Sequence, residues 1–493
     1  MATLDWAMVA ALAGWILVAT NLALRLVALG VIPGNRKPST GAAWLLLILI
    51  VPILGFVIFL LFGRTELGRN RHERQLRAKA RIRERTGRLA DVKPPPGSPD
   101  LVSSVVSLND RLGSLPLVAD NGVQVIDDYD EVIRLMTEAV TAARSYIYVE
   151  FYIMAWDDLT GPLFSAMADA SERGVDVKVL FDHIGSRGIP GYKQMLADLD
   201  DTSIQWHPML PIMPLRGRFR RPDLRNHRKI VVVDGTVGFM GSLNLTERGY
   251  NKPRNHKLGR QWVECMVRVH GHVVAELESV FAMDWYTETD QILAVEARQA
   301  VHTTGPDVVD GVSCQLVPSG PGFVAENNLR LFTTLIYSAT ERISITSPYF
   351  VPDESLLYAV TTAAQRGIAV ELFVSELSDQ FMVGHAQASY YRALLEAGVR
   401  IHLYPAPYIL HSKHFSIDDT VAVIGSSNMD MRSFALNYEV SLMMLGPEIV
   451  QRMRQVEDHY RAVSRELSLQ EWLRRKPGLR YVDNVMRLTA ALQ

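Results

Sequence analysis

The sequence predicts an α/β protein made of two related lobes, each a mixed β-sheet flanked by helices, behind an N-terminal hairpin of two transmembrane helices. Three observations predict this arrangement. A short pattern occurs twice, as "NHRKIVVVDG" at 226–235 and as "LHSKHFSIDD" at 410–419. Strand-like and helix-like stretches follow one another in the same order around each copy. Two long uncharged apolar runs lie near the N-terminus, at 6–24 and 43–62.

The composition excludes several classes of protein. A chain of 493 residues is long enough for two or three domains, and 48% hydrophobic residues exclude wholesale disorder. The net charge of -2 indicates no particular partner. Two cysteines, Cys265 and Cys314, are too few for a disulfide framework or a zinc cage, so we expect two buried thiols.

Residues 1–63 are predicted to be a membrane anchor, because the runs at 6–24 and 43–62 contain no charged residue. At about 1.5 Å of rise per residue, each is long enough for a hydrocarbon core of roughly 30 Å. A cleaved signal peptide is the alternative for the first run, but that run lacks a basic start and a small-residue cleavage pattern. Pro52 and Gly55 are tolerated within membrane helices.

Lysine and arginine counts predict the orientation of the anchor. Three basic residues lie between the two apolar runs, whereas ten lie between Arg64 and Arg88, against three glutamates. The positive-inside rule places this basic segment, and everything after it, in the cytoplasm. The segment either serves only as a topology signal or also holds the protein against anionic lipid. Residues 64–109 are thus predicted to be a basic juxtamembrane segment and a Pro-rich linker.

The rest of the chain is predicted to fold as two related α/β lobes, 110–305 and 306–493. Strands are predicted at 146–154 and 175–181 around an intervening helix, and the same order recurs in the second lobe. The similar stretches "ERGVDVKVLF" and "QRGIAVELFV" begin at Glu172 and Gln365, a separation close to that between the two histidine motifs. This spacing indicates duplication of a whole lobe, and two lobes related by a pseudo-two-fold axis could each supply half of one site.

The two copies of the pattern share six polar or small residues. They are His227, Lys229, Asp234, Gly241, Ser242 and Asn244 in the first copy and His411, Lys413, Asp418, Gly425, Ser426 and Asn428 in the second. Residues two apart in a strand point to one face, so each histidine is expected to project with its lysine. Lysines, serines and asparagines would bind a phosphate. Two histidines suit in-line displacement at phosphorus, where one attacks and the other protonates the leaving oxygen.

The repeated pattern H-x-K-x4-D-x6-G-S-x-N resembles the signature of the phospholipase D superfamily, and the similarity covers nearly all of residues 110–490. With the apolar N-terminus, the stretches "SPYFVPDE", "RALLEAGVRIHLYP" and "LHSKHFSIDDTVAVIGSSNMDMRSFALNYEV" are most similar to bacterial cardiolipin synthases. The resemblance implies two phospholipase D-like lobes on the cytoplasmic side of a bacterial cell membrane. It also implies phosphatidyl transfer through a covalent phosphohistidine.

The resemblance assigns a further carboxylate to each histidine. In the family, a carboxylate downstream of each motif orients the histidine of that motif. Glu439 follows His411 in the chain and takes this place in the second lobe, and Glu264 follows His227 and takes it in the first. The near-symmetric pair of histidines does not itself identify the nucleophile. The resemblance favours His227, with His411 as general acid and then general base.

The remaining motif residues have expected supporting roles. Asp234 and Asp418 are expected to hold strand ends and turns, and the four serines and asparagines of the motifs to bind substrate. Paired lysines can neutralise phosphate charge, and no metal-ligand cluster is apparent, so we expect no metal and no other cofactor. Glu150, inside an apolar strand, is either paired in the core or close to the site. The segment 206–225 is predicted either to dip into the membrane interface or to be an ordinary basic loop over the site.

The leading hypothesis is a cardiolipin synthase that joins two phosphatidylglycerols and releases glycerol. A membrane-bound phospholipase D that hydrolyses or exchanges head groups is the alternative. A nuclease of the same superfamily is disfavoured by the membrane anchor, and nucleic acid is not an expected partner. An inactive lipid-binding scaffold has no need for two paired acid–base histidines. The expected partners are phosphatidylglycerol, cardiolipin and an anionic membrane surface, and the oligomeric state stays open.

Overall fold

The computed structural model describes residues 6–34, 38–63, 73–74, 77, 92–95, 100–113, 115–212, 223–293, 305, 307–323 and 326–489. The chain forms two compact units. One contains Met1–Glu66 with Arg221–Asp223, and the other contains Leu67–Arg220 with Leu224–Gln493.

The N-terminal unit is helical. Helix α1 spans Trp6–Val31, α2 spans Pro38–Ile50, α3 spans Pro52–Ile58, and a short π-helix follows at Phe59–Gly63. Within the described part of the chain, one helix is long and apolar enough to cross a membrane, at Met8–Val31. Most of its large apolar side chains are exposed, which is typical of a helix that faces lipid, whereas Ala28 packs with Ile48 and Phe59.

The expected second span at 43–62 is not confirmed as one helix, because this run is broken into α2 and α3, which are both shorter than a membrane span. Pro52 causes the break. Proline has no N–H to continue the helical ladder, and its ring drives the preceding residue out of the helical region. Val51 accordingly has φ of -129° and ψ of 79°.

The chain reverses direction at this break, so that α2 and α3 form a tight helical hairpin. The rings of Trp44 and Phe59, which lie on opposite sides of the break, have centres 5.4 Å apart. A β-carbon on Gly55 would lie 2.9 Å from the carbonyl oxygen of Leu47, so glycine permits the close approach of the two helices. The N-terminal unit is therefore one span-length helix followed by a hairpin of two short helices.

The second unit alternates helices and strands. Its helices are α4 (Asp100–Arg111), α5 (Tyr129–Thr141), α6 (Gly161–Glu172), α7 (His183–Arg187), α8 (Tyr192–Asp200), α9 (Pro253–Lys257), α10 (Val273–Thr289), α11 (Asn327–Ser338), α12 (Glu354–Gln365), α13 (Phe381–Ala397), α14 (Met431–Ala435), α15 (Pro447–Val463), α16 (Leu469–Leu473) and α17 (Pro477–Arg487). Its strands are β1 (Val118–Ile126), β2 (Tyr146–Phe151), β3 (Asp176–Asp182), β4 (Gln205–Met209), β5 (Arg225–Asn226), β6 (Lys229–Val233), β7 (Val237–Gly241), β8 (Trp262–Val263), β9 (Met266–His270), β10 (Val308–Ser319), β11 (Arg342–Thr346), β12 (Phe350–Val351), β13 (Ala369–Ser375), β14 (Arg400–Tyr404), β15 (Ile409–Leu410), β16 (His414–Ile417), β17 (Val421–Gly425), β18 (Met429–Asp430), β19 (Asn437–Leu445) and β20 (Arg465–Leu467).

Most of these strands join one mixed sheet, in the order β4-β3-β2-β6-β7-β9-β1-β10-β19-β17-β16-β11-β13-β14-β20. The order is repeated on the two sides of the central β1–β10 pair. On one side β9, β7, β6, β2, β3 and β4 follow, and on the other side their counterparts β19, β17, β16, β11, β13 and β14 follow. The predicted α/β class with a mixed sheet is confirmed.

Most strands carry apolar residues on both faces of the sheet instead of alternating apolar and polar residues. Helices accordingly cover both faces. Helices α5 and α6 pack on the first half, and α11, α12 and α13 pack on the second half. Helices α10 and α15 cover the seam between the halves. Asp128 and Asp353 begin α5 and α12 by accepting hydrogen bonds from the backbone N–H groups of Glu131 and Leu356.

The last part of the segment 64–109, which was predicted to be a linker, is helical. Asp100–Arg111 is helix α4, and its Val102, Val105 and Val106 belong to the apolar core of the second half. Apolar residues at this i, i+3, i+4 spacing form one helical face, which explains why the segment packs instead of linking. Asn109 anchors it by donating a hydrogen bond to Gln315 at 2.8 Å.

Two short crossings connect the halves and position the site. Strand β5, just before His227, pairs in parallel with β19 of the second half. Strand β15, just before His411, pairs in parallel with β8 of the first half. Each histidine therefore lies between two strands and not within one, which corrects the expectation of a continuous strand. The reason is that the backbone changes its pairing partner there: the His227 and His411 N–H groups donate to carbonyls of the opposite half, at 2.9 and 2.7 Å.

Candidate active site

The two motif histidines each contact a buried carboxylate of the opposite half. His227 Nδ1 lies 3.0 Å from Glu439 Oε2, and His411 Nδ1 lies 2.7 Å from Glu264 Oε1. The expected assignment was the reverse, with each carboxylate serving the motif that precedes it in the chain. That pairing is wrong, and the observed pairing crosses between the halves.

The crossing of strands explains the crossed pairing. Strand β5 runs beside the start of β19, which carries Glu439, and β15 runs beside β8, which ends just before Glu264. Each histidine therefore lies beside the orienting carboxylate of the other half. A carboxylate that accepts the Nδ1–H of an imidazole fixes its tautomer and leaves the Nε2 lone pair available.

The motif lysines lie against their own histidines. Lys229 Nζ donates to His227 O at 2.6 Å, and Lys413 Nζ donates to His411 O at 2.6 Å and lies 3.0 Å from His411 Nε2. All four side chains are buried. The two ammonium groups therefore concentrate positive charge where a phosphate would bring negative charge.

The electrostatics join the two halves into one centre. Burial, followed by the charges of Lys229, Lys413 and His411, holds the pKa of His227 well below its usual value. Burial and the charge of Lys413 lower the pKa of Lys229 to about 7, and burial lowers that of Lys413 to about 8. These mutual charge effects agree with the crossed histidine–carboxylate contacts, which bring His227, His411 and both lysines into one site.

The two histidines differ in the support that they receive. Burial lowers the pKa of His411, but the charge of Glu264 and its hydrogen bond oppose that shift. Glu439 accepts two further hydrogen bonds besides its contact with His227, from Ser426 Oγ at 2.5 Å and from Asn437 Nδ2 at 3.2 Å. Burial raises the pKa of Glu439 to about 7. Protonation is consequently better supported on His411 than on His227.

The expected substrate-binding residues are largely engaged with the protein. Ser426 bonds Glu439, and Ser242 Oγ donates to Cys265 O at 3.1 Å and accepts from Cys265 N at 3.0 Å. Asn244 Nδ2 donates to Tyr250 Oη at 2.8 Å. Among the described contacts, the buried Oδ1 of Asn428 has no hydrogen-bond partner. Substrate binding by these residues stays a prediction.

The motif aspartates hold the backbone. Asp234 accepts hydrogen bonds from the N–H groups of residues 144, 145 and 146, at 2.7 to 3.0 Å. Asp418 accepts from the N–H groups of residues 340, 341 and 342, at 2.8 to 2.9 Å. Both aspartates have positive φ, 53° and 47°, and both tie the strand that carries the motif to the start of its neighbour.

Two tyrosines of the site were not predicted. Tyr152 lies edge-on to His227 with ring centres 4.8 Å apart, and Tyr349 lies edge-on to His411 at 6.5 Å. Lys229 Nζ lies 5.4 Å from the Tyr152 ring centre. Each tyrosine follows one of the matching strands β2 and β11, in "EFYIM" and "SPYFV". Alignment of the two halves to each other would have revealed them.

Two further expectations concern residues around the site. Glu150 is buried and accepts a hydrogen bond from Asn226 Nδ2 at 2.9 Å, so it is paired in the core directly beside the residue that precedes His227. Within the expected interfacial segment 206–225, residues 213–222 lie outside the described residues. Membrane contact by that segment stays a prediction.

Comparisons with known proteins identify the family to which the chain belongs. A family model described as "Cardiolipin synthase, PLD-like domain" matches residues 136–285 and 332–460, once in each half. A second family model, described as phospholipase D-nuclease N-terminal, matches residues 23–64. The phosphatidylserine synthase structure of Haemophilus influenzae Rd KW20 covers 78% of this chain and 99% of its own, with a TM-score of 0.58 and 13% identity. Fold and site together define an enzyme of the phospholipase D superfamily.

Curated relatives narrow this class to one family. Cardiolipin synthase A of Pectobacterium carotovorum is 31% identical over 474 residues, which are 96% of this chain and 95% of the relative. Cardiolipin synthase A of Yersinia pseudotuberculosis is 32% identical over 468 residues, or 94% and 93% of the two chains. The chain belongs to the bacterial cardiolipin synthase family.

The backbone role of the motif aspartates predicts a loss of stability and not of chemistry. Asp418→Asn should cost ~1–3 kcal/mol of folding stability, because three N–H groups at the start of β11 lose a charged acceptor. The thermal midpoint of the detergent-solubilised enzyme should fall while KM and the activity per folded molecule stay near the wild-type values. The exposed neighbour Asp419→Asn is the matched control. Lost turnover with an unchanged thermal midpoint would place Asp418 in the chemistry instead.

Proposed function

We propose that this protein is a cardiolipin synthase that transfers a phosphatidyl group between two phosphatidylglycerol molecules and releases glycerol. The observation that carries the proposal is the crossed pair of histidine–carboxylate contacts, with two lysines beside them. This arrangement supplies a nucleophile, a proton carrier and positive charge at one point. The repeated strand order supports two phospholipase D-like repeats. Helix α4 belongs to the second repeat, because it packs in the core of that half.

In the proposed first step, His227 Nε2 attacks the phosphorus of one phosphatidylglycerol while His411 protonates the departing glycerol oxygen. His227 suits attack because its depressed pKa keeps it neutral. His411 suits proton transfer because the Glu264 carboxylate stabilises its protonated form. Glu439 accepts the Nδ1–H of the phosphorylated ring, and the two lysines neutralise the phosphate.

In the second step, the terminal hydroxyl of another phosphatidylglycerol gives its proton to His411 and attacks the phosphohistidine. Cardiolipin forms, His227 is freed, and no proton is gained or lost overall. Water competes for the same intermediate, so transfer requires its exclusion. The burial of His227 and His411, which are 7% and 5% exposed, favours the lipid acceptor over water.

The chain's membrane association is proposed to follow from its N-terminal unit. Helix α1 would cross the membrane once, and the α2–α3 hairpin would enter and leave on the same side. The ten basic residues between Arg64 and Arg88 favour the cytoplasm for that side and for the catalytic halves. This arrangement would place the active site at an anionic membrane surface, where its lipid substrates lie.

The function predicts a defined assay result. Purified protein in liposomes with phosphatidylglycerol as the reactive lipid should form cardiolipin and glycerol in equal amounts, without a nucleotide-activated lipid. Excess glycerol should reverse the reaction, because one phosphodiester replaces another. Activity should persist in EDTA, because the two lysines supply the positive charge at phosphate.

His227→Ala and His411→Ala should each abolish turnover, and the double variant should be no worse.

The exposed His256→Ala, with 54% of its side chain accessible, is the control for the histidine variants. Phosphatidic acid as the main product would support the alternative, a membrane-bound phospholipase D. Half of the activity remaining in either single variant would disprove the shared site.

The proposed division of roles predicts a pH effect. Glu264 raises the pKa of His411 from the value that burial alone would impose. Removing that charge in Glu264→Gln lowers the pKa of the general acid, so His411 loses its proton at lower pH. The alkaline limb of the kcat/KM profile should therefore move to lower pH in Glu264→Gln and much less in Glu439→Gln. The opposite ranking of the two variants would assign the proton to His227.

The helical hairpin predicts the topology. Ala2→Cys should react with a membrane-impermeant maleimide in intact spheroplasts, whereas Gln493→Cys should react only after lysis. The native Cys265 and Cys314 are buried and give a low background. Protection of both engineered cysteines would show that the 43–62 run crosses the membrane after all.

A further inference from the structure

The residue between the histidine and the lysine of the first motif is a fully buried arginine. Arg228 Nε donates to Glu439 O at 3.1 Å, and its Nη2 donates to Ser319 O at 3.4 Å. Its Nη1 forms an ion pair with the buried Asp284. The guanidinium therefore extends from the motif of the first half to β10 and β19 of the sheet, and it meets the residue that orients His227.

Aromatic rings enclose the same guanidinium. Its central carbon lies 5.5 Å from the ring centre of Tyr438 and 5.8 Å from that of Phe323. Tyr438 directly precedes Glu439, and its carbonyl accepts the N–H of His227 at 2.9 Å. Arg228 thus contacts Glu439 and Tyr438, the two residues to which His227 is hydrogen-bonded.

The equivalent residue of the second motif makes the equivalent contact with a smaller side chain. Ser412 is buried, and its Oγ donates to Val263 O at 3.3 Å. Val263 directly precedes Glu264, the carboxylate that holds His411. Ser412 Oγ also lies 2.8 Å from Tyr460 Oη. In both motifs, the middle residue contacts the backbone that presents the orienting carboxylate of the other half.

We infer that the middle residues of the two motifs, Arg228 and Ser412, are positioning residues that set the crossed carboxylates against the histidines. Each acts through the carboxylate and not on the substrate. A carboxylate displaced by a fraction of an ångström turns the imidazole and misdirects its Nε2, which raises the barrier without weakening lipid binding. The inference rests on the proposed function, because it concerns the same site.

The two positions differ in strength. Arg228 combines an ion pair, two backbone contacts and two aromatic faces, whereas Ser412 contributes one long hydrogen bond to the carbonyl of Val263, the residue before Glu264. The carboxylate of the proposed nucleophile is therefore held more rigidly than that of the proton carrier. His411 exchanges protons in both steps, and small adjustments of its ring suit that task.

The decisive experiment is a double-mutant cycle across the halves. Arg228→Lys keeps a cation beside Asp284 but removes the fork that reaches Glu439 and Ser319. It should lower kcat by roughly 10–100-fold with KM for phosphatidylglycerol almost unchanged, as expected for a misplaced reacting group. In a Glu439→Gln background the same substitution should cost less than about 3-fold, because coupled residues are not additive. In a Glu264→Gln background it should keep its full effect.

Ser412→Ala provides an independent test. It leaves the buried ion pair between Arg228 and Asp284 intact, so it does not depend on whether the Arg228→Lys variant folds. It should lower kcat by roughly 3–10-fold, as for the loss of one neutral hydrogen bond, and this loss should vanish with Glu264→Gln and persist with Glu439→Gln. Equal losses in both backgrounds, or a higher KM with unchanged kcat, would overturn the inference. If the wild type releases phosphatidic acid instead of cardiolipin, the proposed function is wrong. The kcat ratios of the variants can then be measured on phosphatidic acid, so the inference is still tested independently.

Discussion

The structure of the site depends on the two hydrogen bonds that join each histidine to a carboxylate of the opposite half. His227 with Glu439 and His411 with Glu264 are contacts between distant parts of the chain, separated by 212 and 147 residues. Neither half can orient its own histidine by this contact. The two copies of the motif therefore form one centre, whose crossed contacts require both halves.

The rest of the fold serves to deliver these groups. The continuous sheet across β1 and β10 fixes the two halves relative to each other. The short strands β5 and β15 leave their own halves just before the histidines, and Asp234 and Asp418 tie the following strands back into place. Burial also lowers the pKa values of the motif histidines and lysines, which favours their neutral forms.

Much of this could be predicted from the sequence, because repeated patterns carry information that single motifs lack. The strands around Glu150 and Phe373, the α/β class and the set of histidines, lysines and carboxylates followed from the repeat and the family resemblance. The exchange of carboxylates did not follow, because local spacing cannot show that β5 and β15 change partners. Helix α4 (Asp100–Arg111) was not predicted because it follows a Pro-rich stretch. The break at Pro52 was not predicted because proline is tolerated within membrane helices, and the sequence alone does not show that the chain turns there.

The most direct test of a single shared centre is the stoichiometry of the covalent intermediate. Enzyme mixed with phosphatidylglycerol can be quenched within one turnover under alkaline conditions, digested, and mapped by mass spectrometry for phosphorylated histidine. We expect at most one phosphatidyl group per chain, carried by His227. Adducts on both histidines of one chain, or an adduct on His411 alone, would contradict the assignment of one nucleophile to a centre built by both halves.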